Sequence, residues 1–231
     1  MPSVIDEEFG QIILRRSAKA SHVRIRVAPD GRLRASLPLY APAFLVKRLV
    51  RSSRDQIREM LASQGNDIQF EDGMQIGKSH TLIVRPALAS KPSATRHKQQ
   101  IIVSLPSGKR LADSDVNRMV RDTVIEALRI EAKSYLPKRL AYLADQHGFH
   151  YEKVRFSHAS GRWGSCSSNG TISLNIALMK LPFELIDYVL AHELSHTVQM
   201  NHSPAFWDVV EKANPRYKIN RRALKKETPS I

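Results

Sequence analysis

Alternating apolar and basic residues stand near the start of the chain. From Val23 to Leu37, apolar side chains occupy every second position on both sides of Pro29-Asp30-Gly31, a combination typical of a tight turn. This pattern predicts a β-hairpin with a basic outer face. From Ala43 to Ser63 the apolar residues recur at helical spacing, which predicts an amphipathic helix that stops at Gly65-Asn66.

Further along, the pattern changes from mainly extended to mainly helical. Residues 74–86 and 98–106 are rich in β-formers, and the polar run Ala-Ser-Lys-Pro-Ser-Ala-Thr-Arg between them is typical of a loop. Asp113 to Gln146 predicts one long helix, or two helices that meet near Pro137, with Gly148 at the end. Extended segments at 154–158 and 171–177 precede two helices, one after Pro182 and one after Pro204.

These elements predict an α+β fold in two parts. Residues 1–108 form an N-terminal β-rich portion with one helix, and residues 109–231 carry the later helices. With 231 residues, 42% of them hydrophobic, the chain is long enough to bury a substantial core.

Composition limits the class of protein. No segment approaches the roughly 20 apolar residues of a membrane-spanning helix, so we expect no membrane partner. The acidic N-terminus lacks the order of a secretory signal, and the single Cys166 suits a reducing compartment, so we expect the cytoplasm. The formal charge of +14 keeps nucleic acid as a possible partner, although a basic surface that only aids solubility is the alternative.

The segment His192-Glu193-Leu194-Ser195-His196 carries the clearest chemical signal. Two imidazoles four residues apart on a helix differ by about 40° in direction, so both can reach one ion. Neutral imidazoles suit Zn²⁺, which leaves a position for water, and Glu193 can act as general base toward that water. The pattern predicts a zinc site.

A third ligand must come from beyond this helix. His202 lies six residues after His196 and would miss the metal on a continuing helix, so the helix must end first. Asn201 tolerates helix-ending conformations, and Ser203-Pro204 is typical of a new helix start. Glu211 is the alternative ligand, and His202 is preferred.

Several segments together resemble a known family. Gly161 to Ser168, Ile172 to Asn175, the His-Glu-Leu-Ser-His helix and Asn201 to Trp207 closely resemble the YgjP-like family of zinc metallopeptidases. That family is similar to the SprT-like and Wss-like metalloproteases of the zincin group. The resemblance implies a zincin-like metallopeptidase domain with an N-terminal β-rich portion, acting on protein or peptide substrates, and supports His202 as the third ligand.

The resemblance also implies roles around the metal. Thr171 to Ala177 is expected either to pair with extended substrate as an edge strand or to be an ordinary core strand. Arg162, Trp163, Ser165 and Asn175 are candidates for substrate binding, with packing under the metal helix as the alternative for the first three.

A second function of a different class stays open. The chain could be a DNA-associated protein, either a DNA-linked protease or a binding module whose zinc is structural. Its contact face would be the basic hairpin, with Arg24, Arg26, Arg32 and Arg34.

Overall fold

A computed structural model of the chain describes residues 2–18, 20–27, 33–64 and 69–231. Its contacts divide the chain into two compact units, Met1–Asp67 and Ile68–Ile231. The division after residue 108 that the sequence suggests stays a prediction. Strands and helices occur in both units, and the predicted α+β class is confirmed.

The first unit is a four-stranded sheet with two helices. Its strands are β1 (Ser3–Asp6), β2 (Gly10–Arg16), β3 (Arg24–Val27) and β4 (Leu33–Leu37), in the order β1-β2-β4-β3. Strands β2 and β4 are parallel, and the other pairs are antiparallel. The helices are α1 (Phe44–Ser52) and α2 (Arg54–Gln64). The inward side chains of the sheet pack with both helices in one core, which contains Val4, Ile12, Leu14, Leu33, Ala35, Leu37, Val46, Val50 and Ile57.

The structure confirms part of what was expected here. Strands β3 and β4 form the predicted hairpin, while its turn Pro29-Asp30-Gly31 and Arg32 lie outside the described residues. The predicted single helix at 43–63 is wrong, because the chain breaks at Ser53, whose φ of −126° and ψ of 27° are not helical. The predicted stop at Gly65-Asn66 also lies outside the described residues.

The second unit begins with another four-stranded sheet. Its strands are β5 (Gln75–Ile76), β6 (His80–Ala87), β7 (Ser93–His97) and β8 (Gln100–Pro106), in the order β5-β6-β8-β7. The polar run predicted as a loop therefore contains an edge strand. Strand β7 was missed because an edge strand needs few apolar residues.

One long helix follows, α3 (Ser114–His147), which runs without a break through Pro137. Leu136 and Leu140, on either side of the proline, are fully buried, so packing holds the helix together where one hydrogen bond is lost. The helix ends at Gly148, as predicted, in the left-handed conformation with φ of 68°.

The remaining elements build the region around the metal motif. A three-stranded sheet contains β9 (Lys153–Ser157), β10 (Gly164–Cys166) and β11 (Thr171–Asn175) in the order β10-β11-β9. A short 3₁₀ helix (Ile176–Lys180) leads to α4 (Phe183–Ser195), α5 (Pro204–Ala213) and α6 (Tyr217–Leu224). Across the described ranges, no helix is both long enough and apolar enough to cross a bilayer.

Candidate metal centre

Helix α4 places the metal motif in the interior of the second unit. The apolar residues that recur along the helix at helical spacing, among them Leu185, Ile186 and Val189, are buried. Glu193 on this helix is buried, 5% exposed, and so is His196 directly after its last residue, 9% exposed. The motif therefore lies where water is scarce and charged groups need partners.

The helix ends within the motif. Ser195 is its last residue, and the Ser195 hydroxyl donates a hydrogen bond to the carbonyl of Ala191 over 2.7 Å. The amides of Val198 and Gln199 both turn back to the Ser195 carbonyl, at 3.1 and 2.9 Å. The predicted helix end before His202 is confirmed, and the reversal brings His202 back beside the helix.

Three histidines meet as a result. One ligand nitrogen from each of His192, His196 and His202 lies within 4.8 Å of the others. The Nε2 atoms of His192 and His202 are 3.3 Å apart. Two nitrogens bound to a tetrahedral Zn²⁺ at about 2.0–2.1 Å would be about 3.3 Å apart, so the observed spacing fits shared coordination of one such ion.

The protonation of these imidazoles also fits a metal. Burial, together with His196, His202 and Arg221, lowers the pKa of His192 to about 3. Burial likewise lowers the pKa of His196. The Nδ1 atom of His196 faces the Gln199 carbonyl at 3.1 Å, which orients the ring and leaves Nε2 for an ion. Neutral imidazoles held in this way are good ligands.

Two buried atoms at the centre have unmet hydrogen-bonding capacity. Across the described part of the chain, neither Nδ1 of His192 nor Oε2 of Glu193 has a hydrogen-bond partner. Buried polar atoms are normally paired, so the free Oε2 of Glu193 indicates a place for water beside the histidines. The free Nδ1 of His192 is a separate feature, because the nitrogen of that ring that meets His202 is Nε2. Burial raises the pKa of Glu193 to about 8, and the charge of Arg162 opposes that increase.

Strand β10 approaches Glu193 so closely that only glycine fits. A Cβ on Gly164 would lie 2.6 Å from Oε1 and 2.8 Å from Cγ of Glu193. The sequence motif contains this glycine, but the sequence alone does not reveal a contact between residues so far apart in the chain. Gly164 is thus a site residue that was missed.

Glu211, the alternative ligand, lies elsewhere. Its carboxylate is 3.6 Å from the Lys218 ammonium, and its side chain is half exposed. The group of converging ligands found among the described residues consists of His192, His196 and His202, without Glu211 or Cys166. The geometry therefore favours His202 as third ligand.

The four candidate substrate-binding residues have different surroundings. Asn175 is fully buried, its amide nitrogen donates to the carbonyls of Ala159 and Arg162 at 2.7 and 2.9 Å, and its oxygen accepts from the Ala177 amide at 3.0 Å. This pattern favours a role in holding the loop before β10. Trp163 packs partly against the core, Arg162 is exposed, and Ser165 lies within β10.

Aromatic side chains from α5 line the histidines, a feature that spacing alone did not predict. The fully buried Phe206 ring stacks on His196, with centroids 4.5 Å apart and planes at 27°. Trp207 lies 5.7 Å from the His202 ring and carries the Arg221 guanidinium 4.3 Å above its own ring. The aromatic pair of the motif at 201–207 therefore fixes the orientation of the ligands.

Three histidines that converge at the end of a buried helix, with an adjacent glutamate, form the arrangement of a metal-dependent hydrolase. The chain matches the model of the YgjP-like metallopeptidase domain over residues 21–227, most of its length, and it belongs to that family. The predicted family is confirmed.

One solved structure is also similar to part of the chain. The crystal structure of the metallopeptidase zymogen of Pyrococcus abyssi abylysin is 32% identical, covers 39% of this chain and 92% of that chain, and has a TM-score of 0.36. No curated protein matches the chain.

Proposed function

We propose that the protein is a zincin-like, zinc-dependent peptidase that hydrolyses peptide bonds in protein or peptide substrates. The observation that carries the proposal is the 3.3 Å spacing of the His192 and His202 nitrogens beside a buried glutamate with an unpaired oxygen. His192, His196 and His202 would hold the ion. When bound, zinc would acidify a water molecule and polarise the scissile carbonyl.

In this proposal Glu193 is the general base. Its Oε2 is free to accept a proton from the attacking water, and the same carboxyl can then donate that proton to the leaving amine. Burial alone favours the neutral acid, whereas a dication on the neighbouring histidines would favour the carboxylate. The cation of Arg162 acts in the same direction as the metal.

The structure favours a different strand for substrate binding than the one expected from the sequence. Thr171 to Ala177 contains β11, which pairs with strands on both sides, so β11 is not an edge strand. Strand β10 is at the edge and passes next to Glu193 through Gly164. We therefore assign the pairing with an extended substrate to β10, with Ser165 in its middle and Arg162 and Trp163 just before it.

Metal content and proteolysis test the proposal together. The purified chain should hold about one zinc and cleave a casein-type substrate. Glu193→Gln should keep the zinc and lose activity by about 10² to 10⁴-fold, the usual contribution of a general base. His202→Ala should lose the zinc, whereas the matched control Glu211→Gln should keep both zinc and activity. Absence of zinc, or full activity in Glu193→Gln, would contradict the proposal.

The single Cys166, which is half-buried and free, supports a reducing compartment such as the cytoplasm. Nucleic acid is proposed as a second partner on different evidence, from the first unit.

A further inference from the structure

The outer face of the sheet in the first unit is basic. In β2 and β4 the side chains of Ile12, Leu14, Leu33, Ala35 and Leu37 point into the core. Because neighbouring residues in a strand point to opposite faces, Arg15, Ser36 and Arg34 point outward. On β3, Arg24 and Arg26 are the exposed positions.

Strand register brings these side chains into rows. Ser36 of β4 lies between Arg15 of β2 and Arg24 of β3. Adjacent strands are about 4.8 Å apart, so the two arginines start about 10 Å from each other with a serine hydroxyl between them. Arg26, paired with Arg34, stands in the next outward row, about 7 Å along the strand.

A recess of about 310 Å³ lies in this face. It is lined by Arg15, Ser17, Ala20, Ser21, His22, Arg24, Arg26 and Ser36. The Nε of Arg24 donates to Nε2 of His22 over 2.7 Å, and Ser21 Oγ is 2.9 Å from Nδ1 of the same ring. These contacts fix the Arg24 side chain and leave the two terminal nitrogens of its guanidinium to face a ligand.

The lining has the donors that phosphate requires. Arginine forks match phosphate oxygens, and serine hydroxyls add further donors. No carboxylate lines the recess within the ranges that the structure describes, and Ala20 is the apolar member of its lining.

Three acidic residues of this unit pair with arginines on helix α2. Glu8 accepts from Arg54 and, over 2.6 Å, from Nε of Arg58. Asp6 also pairs with Arg54, at 3.4 Å, and Asp55 with Arg58, at 2.7 Å. These three acids therefore neutralise charge on α2.

We propose that this face binds phosphate groups of a nucleic acid backbone. The recess holds one phosphate between Arg15, Arg24 and Ser36, and Arg26 extends the contact to the next one. The polar lining favours a nucleic acid over a membrane, since membrane binding gains from apolar side chains that enter the bilayer. The proposal does not depend on the peptidase activity, because it uses none of the residues at the metal centre.

Binding of the full chain to a fluorescent single-stranded oligonucleotide, measured over a range of salt concentrations, tests it. Arg15→Gln/Arg24→Gln should weaken binding at low salt by about tenfold or more. It should also reduce the slope of log affinity against log salt by about 0.7, because the two arginines contact one phosphate.

The control is Arg48→Gln/Arg51→Gln, which removes the same charge from exposed positions of α1. This control should change binding less than twofold, and Glu193→Gln should bind as the wild type does.

Three results would overturn the proposal. Equal weakening in the two double variants would show that net charge alone attracts the oligonucleotide. Absence of oligonucleotide binding by the wild type would show that the face does not bind nucleic acid. Binding to phosphatidylserine vesicles that is stronger than to the oligonucleotide and lost with Arg15→Gln/Arg24→Gln would assign the face to a membrane.

Discussion

Replacing Gly164 by alanine is the sharpest perturbation of the candidate active site. The added Cβ would lie 2.6 Å from Oε1, 2.8 Å from Cγ and 2.9 Å from Cδ of Glu193, whereas ordinary contacts begin at 3.4 Å. Glu193 would have to move by roughly 0.6–0.8 Å to restore van der Waals contact. Neither side yields easily, because Glu193 is 5% exposed and Gly164 is paired with the fully buried Leu174.

A displacement near 1 Å costs a catalytic group about 10²-fold in rate, so we expect kcat/KM to fall about 100-fold, or about 2.7 kcal/mol. The zinc content should not change, since the atoms nearest the added Cβ belong to Glu193 and not to the three histidines. The measurement is kcat/KM of the zinc-loaded chain on a casein-type substrate, with zinc content and Tm recorded for each variant.

Gly161→Ala is the matched control, because a Cβ at Gly161 meets nothing within 4 Å. It adds the same methyl group three residues earlier in the chain and should leave kcat/KM within about twofold. Equal activity of the two variants would refute the close approach of β10 to Glu193. Loss of zinc or a large fall in Tm in Gly164→Ala would refute displacement of the base as the cause.

Two further predictions concern stability. Asn175→Ala removes three hydrogen bonds to backbone groups and should lower the free energy of unfolding by about 3 kcal/mol in denaturant titrations. The control Asn169→Ala, at an exposed position, should lower it by less than about 1 kcal/mol. Similar losses in both variants would contradict a positioning role for Asn175. Burial raises the pKa of Glu131, but hydrogen bonds from His80, Lys78 and Ser79 outweigh it and hold the pKa below its usual 4.5. The stabilisation by Glu131 is therefore complete above pH 4.5 and lost as the pH falls through the lowered pKa. The test is the Tm of the wild type and of Glu131→Gln, measured from neutral pH to about pH 3. The variant should have the lower Tm at neutral pH, and its Tm should fall less steeply with pH than that of the wild type. Parallel curves of Tm against pH would contradict this prediction.

The elements that the sequence predicted are those with strong local signals. The hairpin of β3 and β4, helix α3 and helix α4 all have apolar periodicity that matches their burial. The misses have local causes as well. Strand β2 contains the unbroken apolar run Ile12-Ile13-Leu14 without alternation, and the break at Ser53 occurs at a residue that helices tolerate.

The site was predicted as far as it is local in sequence. His192, Glu193 and His196 lie on α4 or directly after it, and His202 follows after a short reversal, so spacing could predict that the three histidines converge. The approach of Gly164 to Glu193 and the row of Arg15, Ser36 and Arg24 depend on how distant strands pack. Contacts between residues so far apart in the chain produce no periodic pattern in a single sequence, so they could not be predicted from it.

The helix end at Ser195 has a consequence for metal affinity. His192 and His196 lie on α4 or directly after it, and His202 lies in the chain reversal that follows. A bound ion would therefore hold this reversal against the end of the helix. Part of the free energy of binding then goes into ordering residues 197–203. If the proposed zinc site is correct, substitutions there that never touch the ion, such as removal of the Thr197 hydroxyl that donates to the Leu194 carbonyl, should weaken metal binding. A variant in this loop would then resemble a catalytic defect although its catalytic residues are intact, and added zinc would restore it.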